Sequence, residues 1–122
     1  MALAKNVMGG GLSAGQARAI NGNNINAAVT AAGTTQGTAT ALGSDMNIVT
    51  TATSGQGVIL YAGIPGDSQI VYNSTAVDIR VYPQSGAAIN QLAANSAFTL
   101  APRTACEVWI TSSTQDVAFL SA

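Results

Sequence analysis

Two of the five carboxylates in this 122-residue chain, Asp78 and Glu107, lie in strand-patterned segments and offer the only paired-acid chemistry in view. Hydrolysis by two carboxylates needs them about 5–10 Å apart across a substrate. Asp45, Asp67 and Asp116 fall instead in expected turns, where aspartate is favoured because its side chain bonds nearby backbone. A cross-strand arginine, Arg80 or Arg103, would satisfy either strand acid just as simply, so a weak hydrolase ranks below a non-enzymatic reading. There is no histidine, which removes Ser–His and Cys–His nucleophiles, imidazole bases and histidine metal ligands together. Cys106 is the only cysteine; it can build neither a thiolate cluster nor an intrachain disulfide, and reads as a small buried hydrophobe. Gly9-Gly-Gly11 lacks the Lys-Ser/Thr ending and the preceding strand of a phosphate loop, and reads as a hinge. Tyr61, Tyr72 and Tyr82 could form a sugar-stacking face, but core or interface packing is the simpler use of them. These residues predict no catalytic site, no cofactor and no metal.

Composition narrows the partners. Charged residues are 7% of the chain, against about 25% in an average globular protein. The four cations, Lys5, Arg18, Arg80 and Arg103, are scattered and the net charge is −1, so the clustered basic footprint of a nucleic-acid binder is missing. Small neutral residues stand where Lys and Glu usually sit, which suits a subunit packed into an assembly or a β-protein with Thr- and Ser-rich solvent faces. No apolar run approaches a membrane span, and Met1-Ala-Leu-Ala-Lys5 does not lead into the apolar stretch of a signal peptide. Synthesis in a cytoplasm with no membrane partner is the resulting expectation, and Asn73-Ser-Thr75 then reads as a turn and not a glycosylation site.

The elements that would carry these residues are β-strands. The six rings all lie in the second half, and Tyr61, Tyr72, Tyr82 and Phe98, Trp109, Phe119 repeat spacings of 11 and 10. A short strand plus a turn takes about 8–12 residues, so one large side chain per strand around a single core is predicted. Seven short segments are β-branched or aromatic: 46–51, 58–62, 69–73, 77–82, 97–100, 106–111 and 117–120. Turn chemistry separates them, with Pro65-Gly66 suited to a type II turn. Alternation sets Val77, Ile79 and Val81 against Asp78, Arg80 and Tyr82, and Cys106, Val108 and Ile110 against Glu107, Trp109 and Thr111. A shift of 37 residues superposes the two aromatic triplets, a weak sign of duplication. Before Asp45 the chain has no ring; Ser13 to Gln16 has capping-box form and Ala14 to Ile20 fits two helical turns. The predicted fold is all-β: a small β-sandwich or jelly-roll-like domain of about seven to eight short strands over residues 46–122. Residues 1–45 are expected to form an extended N-terminal arm with at most one short helix.

From Thr35 onward the chain resembles a group of small tailed-bacteriophage virion proteins. The resemblance is carried by Gly57-Val-Ile-Leu60, Pro65-Gly-Asp67, Val71-Tyr-Asn73, Ile79-Arg-Val-Tyr-Pro83, Gly86-Ala-Ala-Ile-Asn90, Leu92-Ala-Ala-Asn95 and Phe98-Thr-Leu-Ala101, with Ala32-Gly-Thr-Thr-Gln36 as its lead-in. It implies a head decoration or cement protein, made in the host cytoplasm and placed on the capsid surface. Such a protein binds the major capsid protein as a homotrimer and carries no enzymatic residues. On this reading Lys5, Arg18, Asn21, Asn23 and Asn24 in the arm are the expected capsid-binding residues, and Tyr61, Tyr72, Tyr82 and Trp109 the expected oligomer core. The alternative is a tail, head-fibre or spike component whose β-domain binds host surface glycan.

Overall fold

The computed structural model describes residues 25–121. Lys5, Arg18, Asn21, Asn23, Asn24 and the helix expected after Ser13 lie outside the described residues. Among the described residues there are ten strands: β1 (Ile25–Thr30), β2 (Thr40–Ala41), β3 (Met46–Thr51), β4 (Gly57–Ile59), β5 (Ser68–Asn73), β6 (Ile79–Tyr82), β7 (Ala88–Ile89), β8 (Phe98–Leu100), β9 (Ala105–Ser112) and β10 (Gln115–Leu120). They form a six-stranded sheet, β1-β3-β5-β9-β10-β7, and a four-stranded sheet, β2-β4-β6-β8. One hydrophobic cluster joins them, with Val49, Val71 and Val108 from the larger sheet and Val58, Val81 and Leu100 from the smaller. The all-β expectation holds, and each of the seven expected segments contributes a strand.

The path of the chain differs from the antiparallel pairing of a jelly roll. From β1 to β6 it alternates between the sheets, and each strand runs parallel to the one two before it. This is a flattened spiral of three windings. Then β8 and β9 run back antiparallel to β6 and β5, β10 folds onto β9, and β7 closes the far edge beside β10. The first winding is built from residues assigned above to the arm. Val29, Ala31 and Leu42 are core residues, and Val29 is registered on Val49. Folding therefore includes residues from Ile25, not from 46. Parallel stacking explains why so plain a segment folds: a winding needs a small apolar residue at each inward position, and its backbone partners come from the next winding.

Where the backbone leaves its ladder at three of the crossings between sheets, buried amide side chains supply the missing partners. Asn47 donates to the carbonyls of Ser44 (2.8 Å) and Ile70 (3.3 Å). Gln69 pairs with both backbone groups of Tyr61, accepting from its N–H and donating to its carbonyl at 3.1 Å each. Asn73 donates to the carbonyls of Val77, Leu100 and Ala101, and its Oδ1 accepts from Thr75 N–H and Oγ1. The sequon thus holds a buried hub at a turn. Pro65-Gly66 sits in the expected turn, with Gly66 at φ 99 and Asp67 N–H donating to the Ile64 carbonyl at 3.0 Å.

The expectation of one ring per strand in the core is corrected. The fully buried large side chains are mainly Val, Ile and Leu; of the rings, Phe98 packs partly buried against the core cluster and Tyr82 is buried outside it. Tyr61 follows β4 in a connection. Nor do the two triplets belong to equivalent units, since β4, β5 and β6 fall in the small, large and small sheets whereas β8, β9 and β10 fall in the small, large and large.

Candidate interaction surface

Period-2 alternation sends every second side chain of β5, β9 and β10 away from the core. On β9 the burial follows it: Cys106, Val108 and Ile110 point in, and Glu107, Trp109 and Thr111 point out. What distinguishes the larger sheet is that most of its outward positions in the registered rows are also apolar. Cα register places Ile25, Met46, Ile70, Glu107 and Phe119 in one row across β1, β3, β5, β9 and β10. A second row joins Ile48, Tyr72 and Ala105, and a third joins Ser68, Trp109 and Val117. Exposure is high at the ends of the first row, 67% for Ile25 and 61% for Phe119, and Trp109 is 40% exposed. Between β9 and the end of β10 runs a groove of about 350 Å³ lined by Ile70, Ala105, Glu107, Phe119 and Leu120. The Glu107 carboxylate is the charged group of a mostly apolar floor that Cys106 and Ser121 complete.

The outer face of the smaller sheet is different because it is polar at Arg80 and Thr99 and covered around Tyr82 and Gly57. The segment around the 3-10 turn Gln36–Thr38 is held at the Tyr82 end of this face. Tyr82 Oη donates to the Thr34 carbonyl at 2.9 Å, and Gln36 Nε2 donates to the Pro83 carbonyl and to Asn95 Oδ1. Gly57 is required beneath: a Cβ there would stand 2.8 Å from the Tyr82 ring and 2.9 Å from the Arg80 carbonyl oxygen.

The four tyrosine and tryptophan residues expected in an oligomer core are not gathered in one place. Tyr72 and Trp109 share the outer face of the larger sheet. Tyr82 is spent holding the 34–36 segment. Tyr61 Oη donates to Asp45 Oδ1 at 3.3 Å, and its pKa is pushed up to about 12 by burial first, then by the charges of Asp45 and Asp67. Asp78 and Glu107 leave opposite sides of the molecule. Glu107 projects from the outer face of the larger sheet, whereas Asp78 is exposed just before β6 of the smaller one, so they form no catalytic pair. Cys106 is buried against the core, and burial raises its thiol pKa to about 12, which suits packing and not reactivity. Among the described residues no group of three or more His, Cys, Asp or Glu could hold a metal ion, and no helix is long and apolar enough to cross a membrane.

Sequence reasoning did not find Ile25, Met46, Ile70 and Phe119 as surface residues. The available signal was the double-sided apolar pattern of Ile70-Val71-Tyr72 and Val117-Ala-Phe119, which marks a strand expected to be covered on both faces. Comparison with protein-family models, with curated proteins and with solved structures found no match.

Proposed function

We propose that this protein is a non-enzymatic structural subunit of a phage head, a decoration or cement protein that sits on the capsid surface, contacts the major capsid protein and self-associates. The observation that carries this reading is the apolar outer face of the larger sheet, registered across five strands and open to solvent. An exposed apolar surface of this breadth on a small domain marks a place where another protein packs. Sparse charge supports the same conclusion, because neighbours with 7% charged residues repel weakly and lose little hydration on contact. The resemblance from Thr35 onward supplies the virion setting. A trimer is the expected oligomer, with Tyr72 and Trp109 as the two members of the expected oligomer core that lie on this face.

The test is incorporation into particles. Phe119→Ser and Trp109→Ser should leave a folded β-protein, since both side chains lie on the surface, yet abolish saturation of capsids. Cryo-electron microscopy of the native particle should show copies tied to the symmetry axes of the head. Normal saturation by both variants sinks the reading, and a few copies per particle at a tail or spike would move it to the glycan-binding alternative. A deletion meant to remove only the attachment segment must stop at residue 24, because Ile25 to Ala41 supply β1 and β2.

A further inference from the structure

The groove between β9 and the end of β10 has a narrower chemistry than the face around it. Resting on the reading above, we propose that this groove is a socket for one arginine side chain of the protein that packs there. The stem of that arginine lies along the apolar walls, and its guanidinium sits on the Glu107 carboxylate beside the Phe119 ring.

Three observations lead to this occupant. The first is the lining. Register places Ile70 and Phe119 on either side of Glu107, and Ala105 and Leu120 extend the apolar walls. At about 350 Å³ the groove is at the lower end of the range for ligand sites, about 300–1,000 Å³, which suits a long side chain and not a cofactor. The second is which polar group still lacks a partner. Ser121 closes one end by pairing twice with Ala105: its N–H donates to the Ala105 carbonyl and its Oγ accepts from the Ala105 N–H, both at 2.8 Å. Among the described residues nothing pairs with the Glu107 carboxylate. The two arginines there are elsewhere, Arg103 with its Nε on the Thr75 carbonyl at 3.2 Å and Arg80 exposed on the smaller sheet. The third is the field. Residues 25–122 hold two arginines against five carboxylates, a formal charge of −3, which attracts a cationic segment.

The other side-chain classes fit less well. An aliphatic group would fill the groove and leave a covered carboxylate unpaired, and an acid would repel it. An amide can donate a hydrogen bond but brings no charge. Lysine brings its charge as a compact, strongly hydrated point. Arginine is more weakly hydrated, presents a planar fork to both carboxylate oxygens and stacks on an aromatic ring. Its methylenes lie on apolar surface while the head reaches a polar atom.

The experiment is an NMR titration of the full chain with three capped tripeptides, acetyl-Leu-X-Leu-amide, in which X is arginine, lysine or citrulline. Citrulline keeps the shape of arginine and loses its charge. The arginine peptide should shift the backbone amides of Glu107 and Phe119. It should bind about five-fold tighter than the citrulline peptide, the upper range for one partly exposed ion pair, and the preference should shrink as salt is raised. Glu107→Gln, a surface change that leaves the core intact, should bring these two peptides to equal affinity. Phe119→Ala should weaken the arginine peptide more than the lysine peptide. Equal affinities of the arginine and citrulline peptides for the parent protein overturn the proposal, and so does the absence of shifts at Glu107 and Phe119. A lysine peptide that binds as tightly as the arginine peptide, or an arginine preference that survives Glu107→Gln, also overturns it. Particle incorporation of Trp109→Ser and Phe119→Ser is scored separately. Failed incorporation with equal peptide affinities removes the socket and leaves the shell reading standing; normal incorporation of both variants with arginine preference in the parent does the reverse.

Discussion

Replacing Asn73 by aspartate changes one NH₂ to an oxygen at a site with no solvent exposure. The Asn73 amide donates to three carbonyls, those of Val77 at 2.8 Å, Leu100 at 3.1 Å and Ala101 at 3.2 Å. An ionised aspartate would point an oxygen at all three, leaving buried acceptors unpaired and facing a negative charge. Two amide protons shared among three acceptors are worth about 2 kcal/mol net, and orphaning buried carbonyls adds about 1–3 kcal/mol for each group left without a partner. Asn73→Asp should therefore cost about 4 kcal/mol at pH 7, a large part of the roughly 5–15 kcal/mol that stabilises an ordinary domain. The neutral acid regains one O–H donor, so the folded pKa of the introduced group lies above the unfolded value near 3.9. A group with a raised folded pKa stabilises fully below its unfolded pKa and loses that contribution as pH rises through the folded value. The deficit against the parent should thus shrink by about 1.4 kcal/mol for each unit that the folded pKa is raised, as pH falls from 8 to 4. Urea unfolding followed by circular dichroism, parent and variant at each pH, measures it. A deficit under about 1 kcal/mol, or one equal at pH 4 and pH 8, would refute the hub role of Asn73.

Three further outcomes are expected. Gly57→Ala should lower stability by about 1–3 kcal/mol, measured as a fall in Tm, because the new methyl meets the Tyr82 ring and the Arg80 carbonyl below 3 Å. Cys106 should resist a water-soluble disulfide reagent at pH 8 in the folded protein and react fully in urea, since it is buried and its pKa lies at about 12. Asp116 is held above the ordinary carboxylate range by burial, against the lowering effect of Gln84 Nε2 at 3.1 Å. Its contribution is present below the unfolded pKa and lost as pH rises through the raised folded value, so Asp116→Asn should flatten the stability profile above pH 4 and gain most at neutral pH. Equal slopes in variant and parent urea titrations would contradict this.

How much of this was legible depends on which physical signal each element carries. β3, β5, β6 and β9 announce themselves by β-branched alternation, and the turns by Pro65-Gly66 and Asn73-Ser-Thr75. β1 and β2 do not. Ile25–Thr30 is INAAVT and Thr40–Ala41 is two small residues, and in isolation neither has the apolar content to be a strand. They are strands because a parallel winding already present offers an in-register edge, with Val29 on Val49 and Thr40 on Val58. Tertiary pairing supplied what propensity lacked. The aromatic spacing misled for a related reason. It counts strands along the chain but carries no information on which face each ring takes, and Tyr72 and Trp109 turned out while Tyr82 turned under the 34–36 segment.

The interaction face was hidden by the same logic, and its origin follows from the topology. In a meander a strand's neighbours are set by short hairpins, so one polar stripe per strand suffices to make a wet face. Here the neighbours of β5 are β3 and β9, brought together from sequence positions some twenty to forty residues away, and their outward residues form a surface only after the windings stack. Ile25, Met46, Ile70 and Phe119 are dispersed in sequence and continuous in space. Isolated exposed aliphatics on a surface need no explanation, but a registered row of them does. Glu107 sharpens the point. A half-buried carboxylate in that row is tolerated while water can reach it, yet it must gain a partner or a proton when the face is covered, since a buried unpaired charge costs several kcal/mol. Whatever packs on this face must therefore meet the Glu107 carboxylate with a basic group or hydrogen-bond donors, or leave it protonated.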